Sequence, residues 1–416
     1  MATDVRGMVD VKQGLLDRRI FNDQEIYEQE QEAIFSKCWL FLCHETSIPN
    51  PGDFFSTYMG EDPVLVVRAQ DGRIRAFLNV CRHRGNRVCR ADSGNASAFV
   101  CAYHGWTYGT DGKLIAVPSL KEAYYDELDT SKWGLAPVAQ LDNYKGLVFA
   151  TFDTDAPPLA EYLGDMAWYM DVFFDRREGG VEVVGGMHRW VAPCNWKLPA
   201  ENFASDAYHL GWTHLSAIRT SFSRSSSATT SGIGHAISPG PGHGIGAVGP
   251  DDVVDVALPE VLEYEQSILP EIRERLGSRL DIIKPVVGNV FPNFALLRGS
   301  ARTFRVWHPR GPDRTEIWSW VYVDKAAPPE IKKAYRLAAT RTFSPSGTFE
   351  QDDMDNWQGV TDAARGVVSR TIPMHMGMGI GHESYREDLG ALTSDYRFSE
   401  SNHRSFYGRW AELMSA

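Results

Sequence analysis

The sequence predicts an α+β protein in which a small antiparallel β domain precedes a larger mixed domain. The first observation is a hairpin signal, because apolar runs at residues 63–67 and 74–78 flank the turn pair Asp71-Gly72. The second is a break at residues 153–158, which are acidic and contain two prolines. The third is the helical spacing of apolar side chains after Pro329. Strands therefore dominate the first part, and helices enter in the second.

A short helix is predicted ahead of the strands, over residues 23–37. Asp23 can cap its first turn, acidic residues follow, and Ile26, Ala33 and Ile34 form an apolar face. We therefore expect residues 1–39 to form a helical segment that packs on the larger domain.

Residues 40–155 are expected to form the β domain. A second turn pair, Asp111-Gly112, follows the first, and residues 146–152 have the apolar pattern of a closing strand. This domain is expected to end at the acidic, proline-containing break.

Residues 156–416 are expected to form the larger α+β domain. Strands are predicted at 303–308 and 316–323, and a helix is predicted to begin at Pro329. Residues 220–250 are rich in Ser, Gly, Ala and Thr, so we expect a loop there, either a loose surface segment or a lid over an active site.

Composition narrows the class of protein. The chain has 416 residues, 43% of them hydrophobic, which is typical of a folded globular protein. A net charge of −12 argues against nucleic acid or an anionic membrane as partner.

The first ten residues do not resemble a signal peptide, and no apolar run approaches the length of a membrane span, so we expect a cytoplasmic protein. Four of the six cysteines are expected to be buried free thiols: Cys38, Cys43, Cys89 and Cys194.

Two short motifs carry the chemistry of the β domain. Cys81-Arg82-His83 and Cys101-Ala102-Tyr103-His104 are separated by seventeen residues, and each supplies one thiolate and one imidazole. A Rieske-type [2Fe–2S] cluster needs this set, with both cysteines on one iron and both histidines on the other. A structural zinc site is the alternative. Zinc fingers usually pair Cys with Cys and His with His, whereas each pair here is mixed, so we predict the iron–sulfur cluster.

A second metal site is predicted in residues 202–214, where His209 and His214 stand five positions apart. Two histidines and a carboxylate form the facial triad of mononuclear Fe(II), which leaves positions free for O2 beside a substrate. On a regular helix, side chains five residues apart lie on different faces, so His209 and His214 could not both bind one metal. We therefore expect the helix to bulge or break near Gly211. The alternative is a pair of structural histidines near a helix end.

The carboxylate is expected from the acidic run at residues 349–357. Glu350, Asp352, Asp353 and Asp355 lie within it, and spacing does not choose among them. Asp206 is a different case, because it precedes His209 by three residues. On one helical face it could accept the free N–H of that ligand and fix its orientation.

Together these motifs resemble the large (α) subunits of the Rieske non-haem iron ring-hydroxylating dioxygenases of the naphthalene/biphenyl type. The resemblance spans nearly the whole chain and rests on residues 81–85, 101–106, 195–197, 202–214, 304–309 and 350–353. It implies a β-sandwich-like Rieske domain and a helix-grip catalytic domain, an antiparallel sheet with helices. The site residues that it implies are Cys81, His83, Cys101 and His104 for the cluster, His209, His214 and Asp353 for the iron, and Asn202 near the iron.

The resemblance also implies a reaction and partners. Electrons from NADH would arrive through a reductase and a ferredoxin, and both atoms of O2 would enter an aromatic ring to give a cis-dihydrodiol. Asp206 would link His209 to His104 of the partner subunit in a trimer, because the route within one subunit would be too long. A small β subunit, giving α3β3, or α3 alone would complete the assembly.

Rieske proteins of respiratory chains carry an extra cysteine in each loop, and those two form a disulfide. The matching positions here are Asn86 and Tyr103. We therefore expect the lower-potential cluster found in aromatic-ring oxygenases.

The substrate is expected to be a polycyclic or bi-aryl hydrocarbon. Arg298 and Arg302 leave an alternative open, because either of them, if it points into the pocket, could pair with an aromatic carboxylate such as phthalate or salicylate. Such a substrate would suit a dioxygenase or a monooxygenase. A non-catalytic electron carrier is the remaining class, but such carriers lack a second iron site. The candidate pocket residues, some of them by resemblance, are all apolar or aromatic: Phe203, Leu210, Ile218, Leu296, Phe343 and Phe349.

Overall fold

The computed structural model of the chain describes residues 4–221, 232–250, 258–299 and 301–416. It divides into two compact units. One consists of Ser36–Leu159, and the other combines Met1–Phe35 with Ala160–Ala416. Within the described ranges, none of the helices has the length and apolar character needed to cross a bilayer.

The N-terminal segment belongs to the larger unit. Its strands β1 (Val9–Asp10) and β2 (Leu15–Leu16) form a small hairpin. Helix α1 (Gln24–Glu30) begins where predicted, because the Asp23 carboxylate accepts the backbone N–H groups of Glu25 and Ile26. The predicted helix then widens into a π-helical turn, Gln31–Phe35.

The smaller unit is antiparallel β, as predicted. Its sheets have the strand orders β6-β5-β4-β7, β10-β9-β8 and β11-β12-β3. Both predicted hairpin turns are present, with Gly72 and Gly112 at positive φ. The elements are β3 (Leu40–His44), β4 (Asp53–Met59), β5 (Asp62–Arg68), β6 (Ile74–Leu78), β7 (Ser93–Asn95), β8 (Ala98–Val100), β9 (Thr107–Gly109), β10 (Leu114–Ala116), α2 (Leu120–Tyr124), β11 (Gln140–Tyr144) and β12 (Leu147–Thr151).

The larger unit is built on a nine-stranded antiparallel sheet of the order β13-β19-β18-β17-β16-β15-β14-β22-β21. Its strands are β13 (Val181–Ala192), β14 (Ile233–Ser238), β15 (Gly244–Val248), β16 (Lys284–Val290), β17 (Phe294–Leu297), β18 (Thr303–Pro309), β19 (Thr315–Asp324), β21 (Ser384–Arg386) and β22 (Ala391–Tyr396), while β20 (Met374–His375) pairs with β2. Its helices are α3 (Leu159–Leu163), α4 (Met166–Phe174), α5 (Lys197–Phe203), α6 (Leu210–Thr213), α7 (Leu215–Ser221), α8 (Pro259–Leu276), α9 (Pro329–Thr342), α10 (Thr348–Arg365) and α11 (Ser401–Met414). The predicted α+β class is confirmed.

The expected loop at residues 220–250 is wrong for its second part. Residues 233–248 form the hairpin β14–β15 inside the large sheet. The small residues that suggested a loop serve close packing instead, because a Cβ atom on Gly244 would lie 2.4 Å from the carbonyl oxygen of Ala204. Residues 222–231, where the lid was also expected, lie outside the described part of the chain.

A buried carboxylate joins α1 to the rest of its unit. Glu30 accepts hydrogen bonds from Lys197 Nζ at 2.5 Å, Trp410 Nε1 at 2.7 Å and Trp196 Nε1 at 2.8 Å, and neither charged side chain of the ion pair is exposed. Burial lowers the pKa of Lys197. These bonds tie α1 to α5 and α11, and α5 leads directly into the candidate iron site.

Candidate active site and cluster-binding loops

The two cysteine–histidine motifs form loops of the same local design. In each, the cysteine carbonyl accepts the N–H of the glycine four residues later, Gly85 or Gly105, at 2.9 Å. Each cysteine N–H in turn donates to the residue after that glycine at 2.8 Å. Both glycines have a φ near +70°, which only glycine adopts without strain. The repeated turn presents two equivalent pairs of ligand atoms.

The donor set fits a Rieske cluster. Cys81 and Cys101 are buried, whereas His83 and His104 are only partly buried and their ring centroids lie 4.5 Å apart. His83 also stacks on Trp106 at 5.0 Å with the rings nearly parallel. Two thiols on the protein side and two imidazoles toward the surface match the division of ligands between the two irons. None of the six cysteines forms a disulfide, and all six are buried, as expected for the four outside the motifs.

Hydrogen bonds reach both cysteine sulfurs. Tyr108 Oη lies 3.3 Å from Cys81 Sγ and accepts the Arg82 N–H at 3.0 Å. When Cys81 is a thiolate ligand it has no proton, so the tyrosine hydroxyl is then the donor to the sulfur. Asn86 Nδ2 donates to Cys101 Sγ at 3.7 Å. Burial by itself would raise the pKa of Cys101, but hydrogen bonds from the Tyr103 backbone and from Asn86 outweigh it and lower that pKa. Such bonds stabilise a thiolate ligand.

The structure brings His209, His214 and Asp353 together. The two Nε2 atoms lie 3.3 Å apart, and Asp353 Oδ1 lies 3.1 Å from that of His214 and 3.4 Å from that of His209. Metal bonds of about 2.1 Å at right angles would place three ligand atoms about 3 Å apart. The triangle and its donor types therefore fit one face of an octahedral Fe(II) site.

A break in the helix produces this convergence. Helix α6 ends at Thr213 and α7 begins at Leu215, so the expected break is present and falls at His214, three residues after Gly211. Asp206 also lies outside a helix, in the turn between α5 and α6. Its Oδ1 accepts the His209 backbone N–H at 3.3 Å, and its Oδ2 lies 3.2 Å from Nδ1 of the same ring.

Each histidine of the triad has a carboxylate at its outer nitrogen. Asp206 lies at Nδ1 of His209, and Asp352 Oδ2 lies 3.3 Å from Nδ1 of His214. Asn202 Nδ2 lies 3.4 Å from His209 Nδ1. The carboxylates favour the tautomers with the proton on Nδ1, which leaves both Nε2 lone pairs free for a metal.

Charge is concentrated at this site. Burial by itself lowers the pKa of His209, but the carboxylates of Asp206 and Asp353 outweigh it and raise the pKa to about 9. Burial raises the pKa of Asp206, yet the positive charges of His209 and His403 bring it well below its usual range.

Three of the six predicted pocket residues lie together beside the triad. Ile218, Phe343 and Phe349 form one apolar cluster, and the Phe349 ring centroid lies 4.8 Å from that of His214. Phe203 packs on Trp307. Leu296 is fully buried within the sheet, and Leu210 is partly buried on α6.

Arg298 and Arg302 are engaged within the protein. Arg302 is buried, donates to Asp324 Oδ2 at 2.9 Å and pairs with Glu265. Arg298 donates to the Pro285 carbonyl at 3.1 Å and lies 4.0 Å from Glu265. Arg176 also pairs with Glu265, so the carboxylates of Glu265 and Asp324 are shared among three arginines within the protein.

Sequence reasoning did not find two supporting contacts. One is that of Asp352 with His214. The other is the buried ion pair between Arg305 Nη1 and Glu350 Oε2, at 2.6 Å. Glu350 precedes Asp353 by one helical turn on α10, so an i, i+3 pattern in the acidic run was the available signal.

Comparisons with known proteins show the family to which the chain belongs. Residues 159–416 match the ring hydroxylating alpha subunit (catalytic domain) family, and residues 38–142 match the Rieske [2Fe–2S] domain. The biphenyl 2,3-dioxygenase subunit alpha of Rhodococcus jostii (strain RHA1) is 43% identical, covering 99% of this chain and 92% of its own. The benzene 1,2-dioxygenase subunit alpha of Pseudomonas putida is 41% identical, with coverages of 100% and 94%.

Solved structures show the same relationship. A naphthalene 1,2-dioxygenase mutant bound to phenanthrene superposes with a TM-score of 0.93 at 34% identity, covering 100% of this chain and 95% of its own. The predicted fold, family and pair of cofactors are confirmed. The chain belongs to the family of ring-hydroxylating dioxygenase α subunits, which join a Rieske [2Fe–2S] domain to a catalytic domain with a mononuclear iron site.

Proposed function

We propose that this chain is the terminal oxygenase component that converts polycyclic or bi-aryl hydrocarbons to cis-dihydrodiols. The observation that supports this most directly is the contact between the triad and an apolar wall. The Phe349 ring packs against His214, and Ile218 and Phe343 extend the same cluster. A flat apolar substrate would be held there with water excluded.

We assign Cys81, His83, Cys101 and His104 as the cluster ligands, and His209, His214 and Asp353 as the iron ligands. When bound, the cluster would pass electrons on and the mononuclear iron would supply the activation of O2. The protein's own residues orient the ligands. Asp206 and Asp352 hold protons on the outer ring nitrogens, and Asn202 packs beside His209.

A hydrocarbon is favoured over an aromatic acid. Arg302 is paired with Asp324 and Glu265, and Arg298 lies beside Glu265, so both arginines already have acidic neighbours. The biphenyl and benzene dioxygenase relatives and the phenanthrene-bound structure are named for hydrocarbons. Among the predicted wall residues, Phe203, Leu210 and Leu296 would line more distant parts of the pocket.

We further propose that NADH supplies the electrons through a reductase and a ferredoxin in the cytoplasm, and that the working unit is a trimer, α3 or α3β3 with a small β subunit. In this trimer Asp206 would join His209 to His104 of the partner subunit. Exposed aromatic side chains support the idea. Tyr103 next to His104 is 58% exposed, and Trp212 next to the triad is 76% exposed.

The test is the content of iron and acid-labile sulfide per chain, with a visible spectrum, after anaerobic purification. We expect about three irons and two sulfides in the wild type, and one iron fewer with an unchanged spectrum in His209→Ala/Asp353→Ala. Two irons in both proteins would exclude the mononuclear site, and zinc without colour would exclude the cluster.

The substrate class is tested separately on the fully loaded enzyme, supplied with NADH, a reductase and a ferredoxin. We expect cis-dihydrodiols from biphenyl or naphthalene and no product from phthalate or salicylate. The reverse preference would overturn the hydrocarbon assignment.

A further inference from the structure

The turn that carries Asp206 is held in a strained conformation. Ser205 has a φ of +127°, which non-glycine residues rarely adopt, and its side chain is 1% exposed. A residue held in such a sparsely populated region is strained and persists there only when its surroundings enforce it. Something outside the turn must therefore fix it.

One buried side chain contacts this turn from the C-terminal helix. Asn402 on α11 is 0% exposed. Its Nδ2 donates to the Ala204 carbonyl at 2.7 Å and to the Ile245 carbonyl at 3.1 Å, while its Oδ1 accepts from Ser238 Oγ at 2.9 Å. The amide thus joins the turn to both strands of the β14–β15 hairpin.

The hairpin is shaped to receive the turn. A Cβ atom on Gly244 would lie 2.4 Å from the Ala204 carbonyl oxygen, and one on Gly246 would lie 2.8 Å from Ser205 Oγ. Only glycine permits this approach. The turn is therefore packed against β15 and hydrogen-bonded by Asn402.

We infer that Asn402 is a positioning residue for the proposed oxygenase: it clamps the Ala204–Ser205 turn so that Asp206 reaches His209. The two Asp206–His209 contacts are 3.2 and 3.3 Å, so a small rotation at Ser205 would break them. The hydrogen bonds of the buried amide oppose the strain at Ser205, and their loss would leave it unopposed. Without the amide, the turn relaxes and Asp206 moves away from the ring. This inference rests on the proposed function.

The test compares Asn402→Ala with Tyr169→Phe in the full-length, metal-loaded protein. Tyr169 is a matched control, because it is buried in the same unit and its hydroxyl donates to the Leu389 carbonyl at 2.7 Å, away from the turn. Two quantities are measured: hydrogen exchange of peptides covering residues 200–209, and the rate at which the chemically reduced cluster is reoxidised by O2 with naphthalene.

We expect both variants to keep the cluster spectrum and about three irons. In Asn402→Ala, exchange at residues 204–206 should rise and cluster reoxidation should slow by about tenfold or more, which corresponds to about 1.4 kcal/mol in the barrier. In Tyr169→Phe, both should stay within twofold of the wild type. If Asn402 only stabilises the fold, the urea midpoint should fall in both variants and their cluster reoxidation rates should be equal. That outcome would overturn the positioning role.

Wild-type exchange and reoxidation in Asn402→Ala would overturn the inference. If that variant does not fold, Ser238→Ala serves instead, because among the described contacts the Ser238 hydroxyl bonds only the Asn402 oxygen. In Ser238→Ala we expect cluster reoxidation to slow less than in Asn402→Ala. A wild-type reoxidation rate together with wild-type hydrogen exchange in Ser238→Ala would also overturn the inference. If naphthalene does not change the rate of cluster reoxidation in the wild type, the proposed substrate class is contradicted instead. The hydrogen-exchange measurement would then still decide the role of Asn402.

Discussion

Arg305 and Glu350 form an ion pair of 2.6 Å in which neither side chain is exposed. The pair ties strand β18 to helix α10, one turn before Asp353. Arg305 Nη2 also donates to the Phe343 carbonyl at 2.9 Å. The pair therefore fixes the helix that supplies the carboxylate of the candidate iron site. Because both side chains are fully buried, no solvent can replace a lost partner.

Removing one member of this pair should be costly. Arg305→Met leaves Glu350 buried and unpaired, so we expect a loss of about 3–5 kcal/mol in unfolding free energy. Iron content should fall by one per chain, because α10 is no longer held, while the cluster spectrum stays. Urea denaturation and iron analysis check this. The control is Arg305→Met/Glu350→Leu, which should recover much of the stability, and a double variant no more stable than the single one would contradict the explanation.

Asp206→Asn should separate metal binding from turnover. The amide is nearly the same size, so the turn and both metals should be retained, but its weaker interaction with the His209 ring should reduce product formation by at least tenfold. Product yield and iron content are measured together. Asp352→Asn is the matched control at the other histidine, with a smaller expected effect. Near-normal coupled activity in Asp206→Asn would exclude the proposed relay.

The buried His243 should make stability depend on pH. Its Nε2 donates to the Tyr162 carbonyl at 3.1 Å, and its Nδ1 accepts the Phe291 N–H at 3.0 Å. Burial lowers its pKa to about 4. In the unfolded chain the His243 side chain has an ordinary pKa of about 6.5. Between this pH and about 4, the unfolded state therefore binds a proton at His243 that the folded state does not bind. Stability should therefore fall as the pH drops from about 6.5 to 4, by about 3 kcal/mol in full.

His243→Gln removes this titration, so its unfolding free energy should change less between pH 7 and pH 4.5 than that of the wild type. Urea titrations at both pH values measure the difference. His382→Gln is the matched control, because His382 is exposed and should leave the wild-type pH dependence intact. Equal pH dependence in all three proteins would show that His243 is not responsible.

The Tyr108 hydroxyl should raise the potential of the cluster. A hydrogen bond to a cysteine sulfur stabilises the more negative, reduced cluster. Tyr108→Phe should lower the potential by about 40 mV, since one hydrogen bond contributes about 1 kcal/mol and the couple transfers one electron. A spectroscopic redox titration checks this. Tyr124→Phe is the control, because the Tyr124 ring packs near Trp106 and its hydroxyl reaches neither cysteine among the described contacts. If Tyr108→Phe and Tyr124→Phe have the same cluster reduction potential, the Tyr108 hydroxyl does not raise that potential.

Much of this protein was predictable because the signals are local. The paired motifs at Cys81 and Cys101 specify their own turns, and the glycine that follows each motif provides the required φ. The hairpins at Gly72 and Gly112, and the cap at Asp23, depend only on neighbouring residues. The sequence predicts these turns, hairpins and the helix cap correctly because interactions between neighbouring residues stabilise them.

Other features needed the tertiary structure. Spacing did not choose among the carboxylates of residues 350–355, but on α10 Asp353 faces the two Nε2 atoms while Asp352 faces the outer nitrogen of His214. The composition of residues 233–248 suggested a loop, whereas the small side chains let a strand approach the Ala204 turn.

The sequence by itself determined the chemistry, that is, which ligand types are present and at what separation, because thiolates and imidazoles at fixed spacing suit few metals. The tertiary structure decided which groups meet across long separations. Glu30 reaches Lys197 and Trp410, Arg305 reaches Glu350, and Asn402 reaches Ala204. These contacts leave no local pattern, since a buried polar group is stabilised by whichever partner the packing of distant elements brings within hydrogen-bond distance.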